Sequence, residues 1–332
     1  MPGGADNDDI QHDSRVDPLR FASEFHAPVL CKTVVEGLVT NLGGRYVDAT
    51  LGGGGHTAAL LDQLEPRGFV LGIDHDAEAL ETVQSRLATD QARGRLKLRR
   101  GNFADLEMIL ADVNVTEIDG LLIDLGVSSH QLDAPRRGFS YMTEGPLDMR
   151  MNPMTGLSAA EVVNNFNVDE LRHVLRAFGE EPRAGRIASA LVVARPLKTT
   201  IDLARVIRNL VPGREVMKTL SRVFQAIRIT VNGELEALEN VLNAAVRVIR
   251  PGGRIAVISY HSLEDRRVKR FLRYGNMEGS PTKDLYGNLL TPWLLINRRP
   301  LMADEYEIAV NSRARSARLR IAERRPTLEP ES

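Results

Sequence analysis

Apolar and polar positions change period repeatedly along the first third of the chain. Val34, Val35, Leu38 and Leu42 recur at helical spacing and predict a helix over 31–42 that stops at Gly43-Gly44. Short, continuous apolar runs then alternate with helical ones. They predict strands over 45–50, 68–74, 96–100 and 118–125, separated by helices over 56–64, 77–88 and 103–111. Continuous apolar runs suit strands covered on both faces. The alternation implies a parallel sheet with right-handed crossovers.

The rhythm breaks between 131 and 213. A Gly-, Pro- and Met-rich loop over 136–156 leads into helical segments at 158–164, 169–178, 182–194 and 201–209, the second starting at Asp169 as an N-cap. A long helix over 222–248, with a break near Asn232-Gly233, returns the chain to an apolar strand at 254–259. A basic helix over 262–274 and a loop over 275–292 follow. Segments 293–297 and 307–311 read as closing antiparallel strands, and 313–325 as an Arg-rich tail. Residues 1–22 are polar and acidic and predict disorder, with order beginning near Phe25. The expected organisation is an extension over 1–22, a first α/β part over 23–131, a helical insertion over 132–214, and a second α/β part over 215–332. The fold class is α/β, Rossmann-like, with a mostly parallel sheet.

Composition narrows this little. Hydrophobic content of 43% and charged content of 26% are ordinary for a globular chain of 332 residues. A single cysteine, Cys31, excludes a disulfide framework and a cysteine-rich zinc site, and suits a reducing cytoplasm. No apolar run approaches the roughly 20 residues of a membrane span, and the acidic N-terminus is no signal peptide. The net charge of −1 is uneven: fourteen Lys or Arg face nine Asp or Glu after residue 264, and twelve face nine over 132–214. That surplus fits a polyanionic partner, although Arg-rich helices with solvated faces would give the same count.

The densest chemistry lies where the first predicted strand ends, at Asp48-Ala49-Thr50-Leu51-Gly52-Gly53-Gly54-Gly55-His56. Glycines at a strand–helix turn let backbone approach a ligand. Asp74 ends the next strand, 19 residues after Gly55, where a carboxylate can take both hydroxyls of a ribose. The glycines alone would serve a dinucleotide equally well. Asp48, just ahead of them, favours the cationic amino group of S-adenosylmethionine (AdoMet) over a pyrophosphate, and His56 occupies a helix end that phosphate would need bare. Phe103 follows the third strand, placed either to stack on an adenine or to pack in the core. Asp124 ends the fourth strand at the mouth of the same crevice. There it either accepts N–H bonds from a nucleobase amine, localising its lone pair, or holds the cofactor's ammonium group. His261, at the end of 254–260, could approach the crevice. No His, Asp or Glu cluster has metal-ligand spacing.

Several segments together resemble one family. They include Asp48–His56, Asp124-Leu125-Gly126-Val127-Ser128-Ser129-His130-Gln131-Leu132-Asp133, Arg137-Gly138-Phe139-Ser140 and Gly145-Pro146-Leu147-Asp148-Met149-Arg150-Met151. His26-Ala27-Pro28-Val29-Leu30, Phe224-Gln225-Ala226-Ile227-Arg228-Ile229 and Ser259-Tyr260-His261-Ser262-Leu263-Glu264-Asp265-Arg266 extend the match. The chain resembles the bacterial ribosomal small-subunit methyltransferase H family from about His26 to Arg325. The resemblance implies a class I AdoMet-dependent methyltransferase that modifies N4 of a cytosine in the decoding region of 16S rRNA. It implies AdoMet contacts from Gly54, Gly55, His56, Asp74, Phe103, Asp124 and Gln131, and so favours the cofactor role for Asp124, the candidate catalytic residue. Gln131 acquires a role only through it. Gly53 and His130 depart mildly from the family pattern. The implied partner is 16S rRNA within the small ribosomal subunit, in the cytoplasm; a homodimer stays open. The rival readings are a nucleotide-dependent oxidoreductase using the same crevice and a non-catalytic ribosome-assembly factor.

Overall fold

A computed structural model describes residues 18–22, 28–287 and 289–326. Seven strands form one sheet in the order β3-β2-β1-β4-β5-β7-β6. The first four are β1 (Arg45–Asp48), β2 (Phe69–Asp74), β3 (Leu96–Arg100) and β4 (Ile118–Asp124). With β5 (Ile249–Ser259) they pair in parallel, and β7 (Arg318–Arg324) joins β5 and β6 (Trp293–Leu295) antiparallel. This is the doubly wound sheet expected of a class I AdoMet-dependent methyltransferase domain. The strand order reverses between β1 and β4, so a crevice opens at their carboxyl ends.

Alternation within the apolar runs assigns the two faces. Leu121 and Ile123 of β4 join Val47, Leu71, Ile73, Ile255 and Val257 in one core cluster, under α5 (Leu106–Asp112), α12 (Glu234–Val248) and α13 (Ser262–Tyr274). Leu122 points the other way, with Tyr46, Val70, Ala256 and Ile258, against α1 (Cys31–Leu38) and α2 (Gly55–Gln63). Each buried Leu, Ile or Val contributes on the order of 1.5–3 kcal/mol, so both faces must stay covered. On the second strand's return, α3 (Ala77–Arg86) and the short α4 (Ala88–Ala92) replace the single helix expected over 77–88.

A third core cluster belongs to the helical insertion. Four helices, α7 (Ala159–Asn165), α8 (Val168–Ala177), α9 (Ala184–Val193) and α10 (Thr200–Leu210), carry it. Capping boxes start three of them: Ser158 with Glu161, Asn167 with Glu170, and Thr199 with Asp202. The cap of α8 is therefore Asn167 rather than Asp169, whose amide donates to Asn167 Oδ1. The cluster continues through Leu220, Val223, Phe224 and Ile227 of α11 (Gly213–Asn232). The helix expected over 222–248 is thus two, α11 and α12, separated by Gly233 at φ +59°.

Two expectations at the termini are corrected. Order does not wait for Phe25: Pro18–Phe21 form a 3-10 turn, Phe21 is buried, Arg20 pairs with Asp62 at 2.6 Å, and Arg86 Nη2 donates to the Phe21 carbonyl. Residues 1–17 and 23–27, including Phe25, lie outside the described residues. At the other end, 307–311 is no strand; α14 (Glu305–Val310) starts there, capped by Asp304. The closing strand is β7, drawn from the Arg-rich tail. Leu319, Ile321 and Ala322 supply its buried residues, and the buried Arg320 guanidinium meets Asp265 at 2.7 Å. Its arginines concealed a strand that its apolar residues stabilise.

Candidate active site

One cavity of about 590 Å³ opens at the β1/β4 reversal. Its first end is built by the turn after β1. Gly52 sits at φ +48° and its amide donates 2.8 Å to Asp74 Oδ2, while the Asp76 amide donates 2.9 Å to Asp74 Oδ1. The loop and the Asp74 carboxylate thus fix one another, and each carboxylate oxygen keeps a lone pair for a ligand. Burial pushes the Asp74 carboxyl up to about 6, against the pull of those two amides. Gly55 and His56 line the cavity. Gly54 does not; it sits at φ +73°, and a Cβ there would lie 2.7 Å from Val83 Cγ2. Its glycine is required by conformation and close packing.

Asp48 is placed differently from the expectation. It is buried beneath the turn, accepts from Thr57 Oγ1 at 2.7 Å and from the Thr50 amide at 3.3 Å, and does not line the cavity. It serves the start of α2. The carboxylate that meets the cavity on this strand pair is Asp124.

Asp124 sits at the junction of the cavity's two ends. Its Oδ1 accepts from the Tyr260 hydroxyl at 2.9 Å, its Oδ2 lies 3.8 Å from His56 Nδ1, and its amide donates to Thr50 Oγ1. His56 Nε2 stands 2.8 Å from the Val29 carbonyl, which only accepts. The ring proton therefore belongs on Nε2, and Nδ1 turns a lone pair towards Asp124 Oδ2. Together these two acceptors suit an incoming N–H donor. Burial lifts the Asp124 carboxyl to about 6, opposed by the Tyr260 hydrogen bond. The same burial and the Asp124 charge hold the Tyr260 hydroxyl well above its ordinary range.

Gln131, on the short helix α6 (Ser129–Asp133), and Phe103, on a 3-10 turn, complete the first end. Gln131 Oε1 accepts from the Ser128 amide at 3.1 Å and Nε2 donates 3.1 Å to Asp76 Oδ2. Asp76, the N-cap of α3, also receives Arg137 Nη1 at 2.7 Å, a nearly buried pair. Arg137 in turn donates to the Arg150 and Met151 carbonyls. The cofactor end is thereby tied to the loop that begins the insertion.

The model of the MraW methylase family matches residues 23–325. A ribosomal RNA small subunit methyltransferase H from Amoebophilus asiaticus is 42% identical over 306 residues, 91% of this chain and 97% of that protein. The protein of the same name from Syntrophotalea carbinolica is 45% identical over 308 residues, 90% of this chain and 98% of its own. The chain belongs to the MraW methylase family. Among solved structures, a putative rRNA-methylase from Clostridium thermocellum covers 89% of this chain and 94% of its own at 13% identity and a TM-score of 0.41, too loose a match to bear on the chemistry.

In this MraW methylase the cavity has a second end, formed where the insertion meets the sheet. Tyr141 and Phe224 line it edge to face at 5.3 Å, with Arg228, Glu234, Tyr260 and His261. His261 therefore does reach the crevice, as the N-cap of α13. Glu234, His261 and Glu264 come close enough together to hold a cation. Arg228 forks onto both oxygens of Glu234 at 2.7 and 2.8 Å, Glu264 Oε2 takes the Tyr260 amide, His261 Nδ1 accepts from the Glu264 amide, and His261 Nε2 faces Glu264 Oε1 at 3.1 Å. Asp76, Arg137, Tyr260 and the Arg228–Glu234 pair were not found as site residues by sequence reasoning. The quoted segments at 137–140, 224–229 and 259–266 contain three of them, but nothing in their spacing places them at one cavity. No helix among the described residues is long and apolar enough to cross a membrane.

Proposed function

We propose that the protein transfers a methyl group from AdoMet to N4 of a cytosine in the decoding region of 16S rRNA, acting on the small ribosomal subunit in the cytoplasm. The observation that carries the reading is Asp124, held by Tyr260 and facing His56 Nδ1 at the junction of a two-ended cavity. The residues at the first end fit AdoMet. Asp74 offers lone pairs to the ribose hydroxyls, Phe103 offers a face to the adenine, and the glycine turn approaches the ligand with bare backbone. A dinucleotide fits less well, because the Asp124 carboxylate and His56 stand at the helix end where a pyrophosphate would bind.

When bound, AdoMet supplies a methyl group activated by its sulfonium sulfur. The chain's residues prepare the acceptor. A cytosine amine is a weak nucleophile, since its lone pair is delocalised into the ring. Asp124 Oδ2, accepting one N–H, draws the lone pair back onto N4 and aims it. As the N4–C bond forms and the S–C bond breaks, N4 must lose a proton. Asp124, raised to about 6, and the adjoining His56 Nδ1 are the acceptors in reach. The Tyr260 bond ties Asp124 to the second end and favours this amine role over a purely cofactor-holding one. The helical insertion, for which the third cluster argues a far boundary at Gly233 instead of 214, covers the cavity, so the base enters turned out of its stack.

The test is direct. Small subunits from cells lacking this activity, incubated with the protein and tritiated AdoMet, should yield label in a single N4-methylated cytidine located by mass spectrometry. Label in another nucleoside refutes the cytosine reading. Subunit binding without any label leaves an assembly factor, and nicotinamide binding leaves an oxidoreductase.

A further inference from the structure

The second end of the cavity contains a charged fork that the methyl-transfer chemistry does not use. Arg228 projects from α11 beside Phe224, and Glu234 is the first residue of α12, across the bend at Gly233. Arg228 gives Nε and Nη2 to the two Glu234 oxygens. Its side chain keeps 17% of its exposure and lines the cavity, and Nη1 has no hydrogen-bond partner among the described residues. Burial works against its charge, but Glu234 outweighs burial and holds the guanidinium above its ordinary range. A buried ion pair seldom stabilises a fold better than apolar residues of the same volume. A fork with one nitrogen left over is therefore better understood as presenting that nitrogen.

Asp124 and Arg228 line the same cavity. Tyr260 bonds Asp124 through its hydroxyl and Glu264 through its amide, His261 follows, and Glu264 feels the Arg228 charge. Cytosine presents one donor, N4–H, then two acceptors, N3 and O2, along one edge. A carboxylate followed by a guanidinium N–H matches that order. Uracil presents O4 and N3–H, which would set oxygen against carboxylate and N–H against cation. Sites that hydrogen-bond a polar group reject the mismatched analogue strongly, because buried partners are left unpaired. The Tyr141–Phe224 pair supplies the aromatic surface on which a turned-out base stacks.

We infer that Arg228, clamped by Glu234, donates from Nη1 to the N3/O2 edge of the target pyrimidine and so selects cytosine. This rests on the cytosine-N4 reading above. The experiment compares the full-length wild type with Arg228→Ala and Arg228→Lys, using small subunits whose target nucleotide is cytidine or uridine. Both variants should bind AdoMet as the wild type does. They should lose kcat/KM for cytidine subunits on the order of 100-fold or more. They should also lose the wild type's binding preference for cytidine over uridine subunits. Added guanidinium ion should restore part of the Arg228→Ala rate, which a purely structural arginine would not permit. If Arg228→Ala fails to fold, Arg228→Lys, which keeps the charge without the fork, decides the outcome. Retained preference or retained kcat/KM in a folded variant overturns the inference. A wild type that methylates no cytosine overturns the parent reading instead, so the two failures are distinct.

Discussion

Asp124→Asn probes the chemical step most sharply. The substitution keeps volume. Its carbonyl can still take the Tyr260 hydroxyl, now at 2.9 Å from Oδ1, and its amide nitrogen then replaces Oδ2, opposite His56 Nδ1. What is lost is one charged acceptor at the point where an N–H must arrive, and a donor stands in its place. A charge-assisted hydrogen bond is worth about 1.5–3 kcal/mol, or roughly 10- to 150-fold in a ground-state affinity. An acceptor acting on the transition state is worth more, roughly 10²–10⁴ in rate. The amine role therefore predicts that single-turnover methylation at saturating AdoMet falls by the larger factor, with the calorimetric AdoMet affinity changed by less than the smaller. The pH profile adds an independent mark. Asp124 must be ionised to accept, so the wild-type rate should rise with pH through about 6 and then level, and the variant should lack that limb. If saturating AdoMet restores the variant's rate, Asp124 grips the cofactor and the amine role is refuted. Full rate at low AdoMet would leave it a turn residue.

AdoMet binding itself should depend on pH through Asp74, whose carboxyl burial lifts to about 6. The ribose needs the ionised form, so affinity should weaken below pH 6, by up to about tenfold per unit for the one carboxylate; equal dissociation constants at pH 5 and 7.5 would remove Asp74 from the site. Unliganded stability runs the other way. The contribution of Asp74 and Asp124 is present below the unfolded value of about 4 and is lost as pH rises through about 6, so AdoMet should raise the melting temperature more at pH 7.5 than at pH 5. Arg320→Met, which leaves the largely buried Asp265 carboxylate only Arg318 at 3.4 Å, should cost about 1–3 kcal/mol in urea unfolding. A cost below about 1 kcal/mol would make the pair a surface contact. Gly54→Ala should destabilise by about 1–3 kcal/mol through its left-handed backbone and the Val83 contact, with AdoMet affinity of the folded protein kept. Lost affinity without lost stability would return Gly54 to the ligand surface.

The parallel sheet was legible because each strand is a short apolar run ended by a turn or a carboxylate, and each crossover helix changes the period. β3 and α13 fall at the residues expected for them, 96–100 and 262–274. Helix breaks were less legible. Nothing in the apolar spacing of 77–88 separates α3 from α4, and α11 reaches back to Gly213 because its first turns pack on the insertion, a tertiary effect. In the site, strand-end acids and the glycine turn could be placed from the sequence, since topology puts all strand ends at one edge. Which carboxylate turns to the cavity could not. Asp48 and Asp124 end neighbouring strands, yet Thr57 captures the first and Tyr260 the second, and that choice depends on partners 9 and 136 residues away. The far wall was illegible for the same reason: Arg228 and Glu234 are six residues apart, but only the bend at Gly233 brings them together as a fork.

The basic C-terminal portion shows why a charge count is a poor map of a binding surface. The surplus after residue 264 suggested a polyanion-binding tail. In the fold, Arg318 and Arg320 converge on Asp265, Arg313 reaches Asp133, Arg324 caps the Val246 carbonyl, and Arg266 and Arg267 pair with Glu180 and Glu239. Those charges are spent holding β7, α13 and the insertion in register, and a guanidinium neutralised in this way releases little counterion when RNA binds. Lys269, Arg270, Arg273, Lys283, Arg298, Arg299, Arg315 and Arg325 are exposed in this portion and lie at bonding distance of no carboxylate among the described residues. Attraction from these charges draws a polyanion to this face but carries no sequence information. Discrimination must then come from the cavity, where a base is met by fixed donors and acceptors out of water. The proposed specificity therefore rests on the Asp124 junction and the Arg228 fork, and the experiments on those two residues test it.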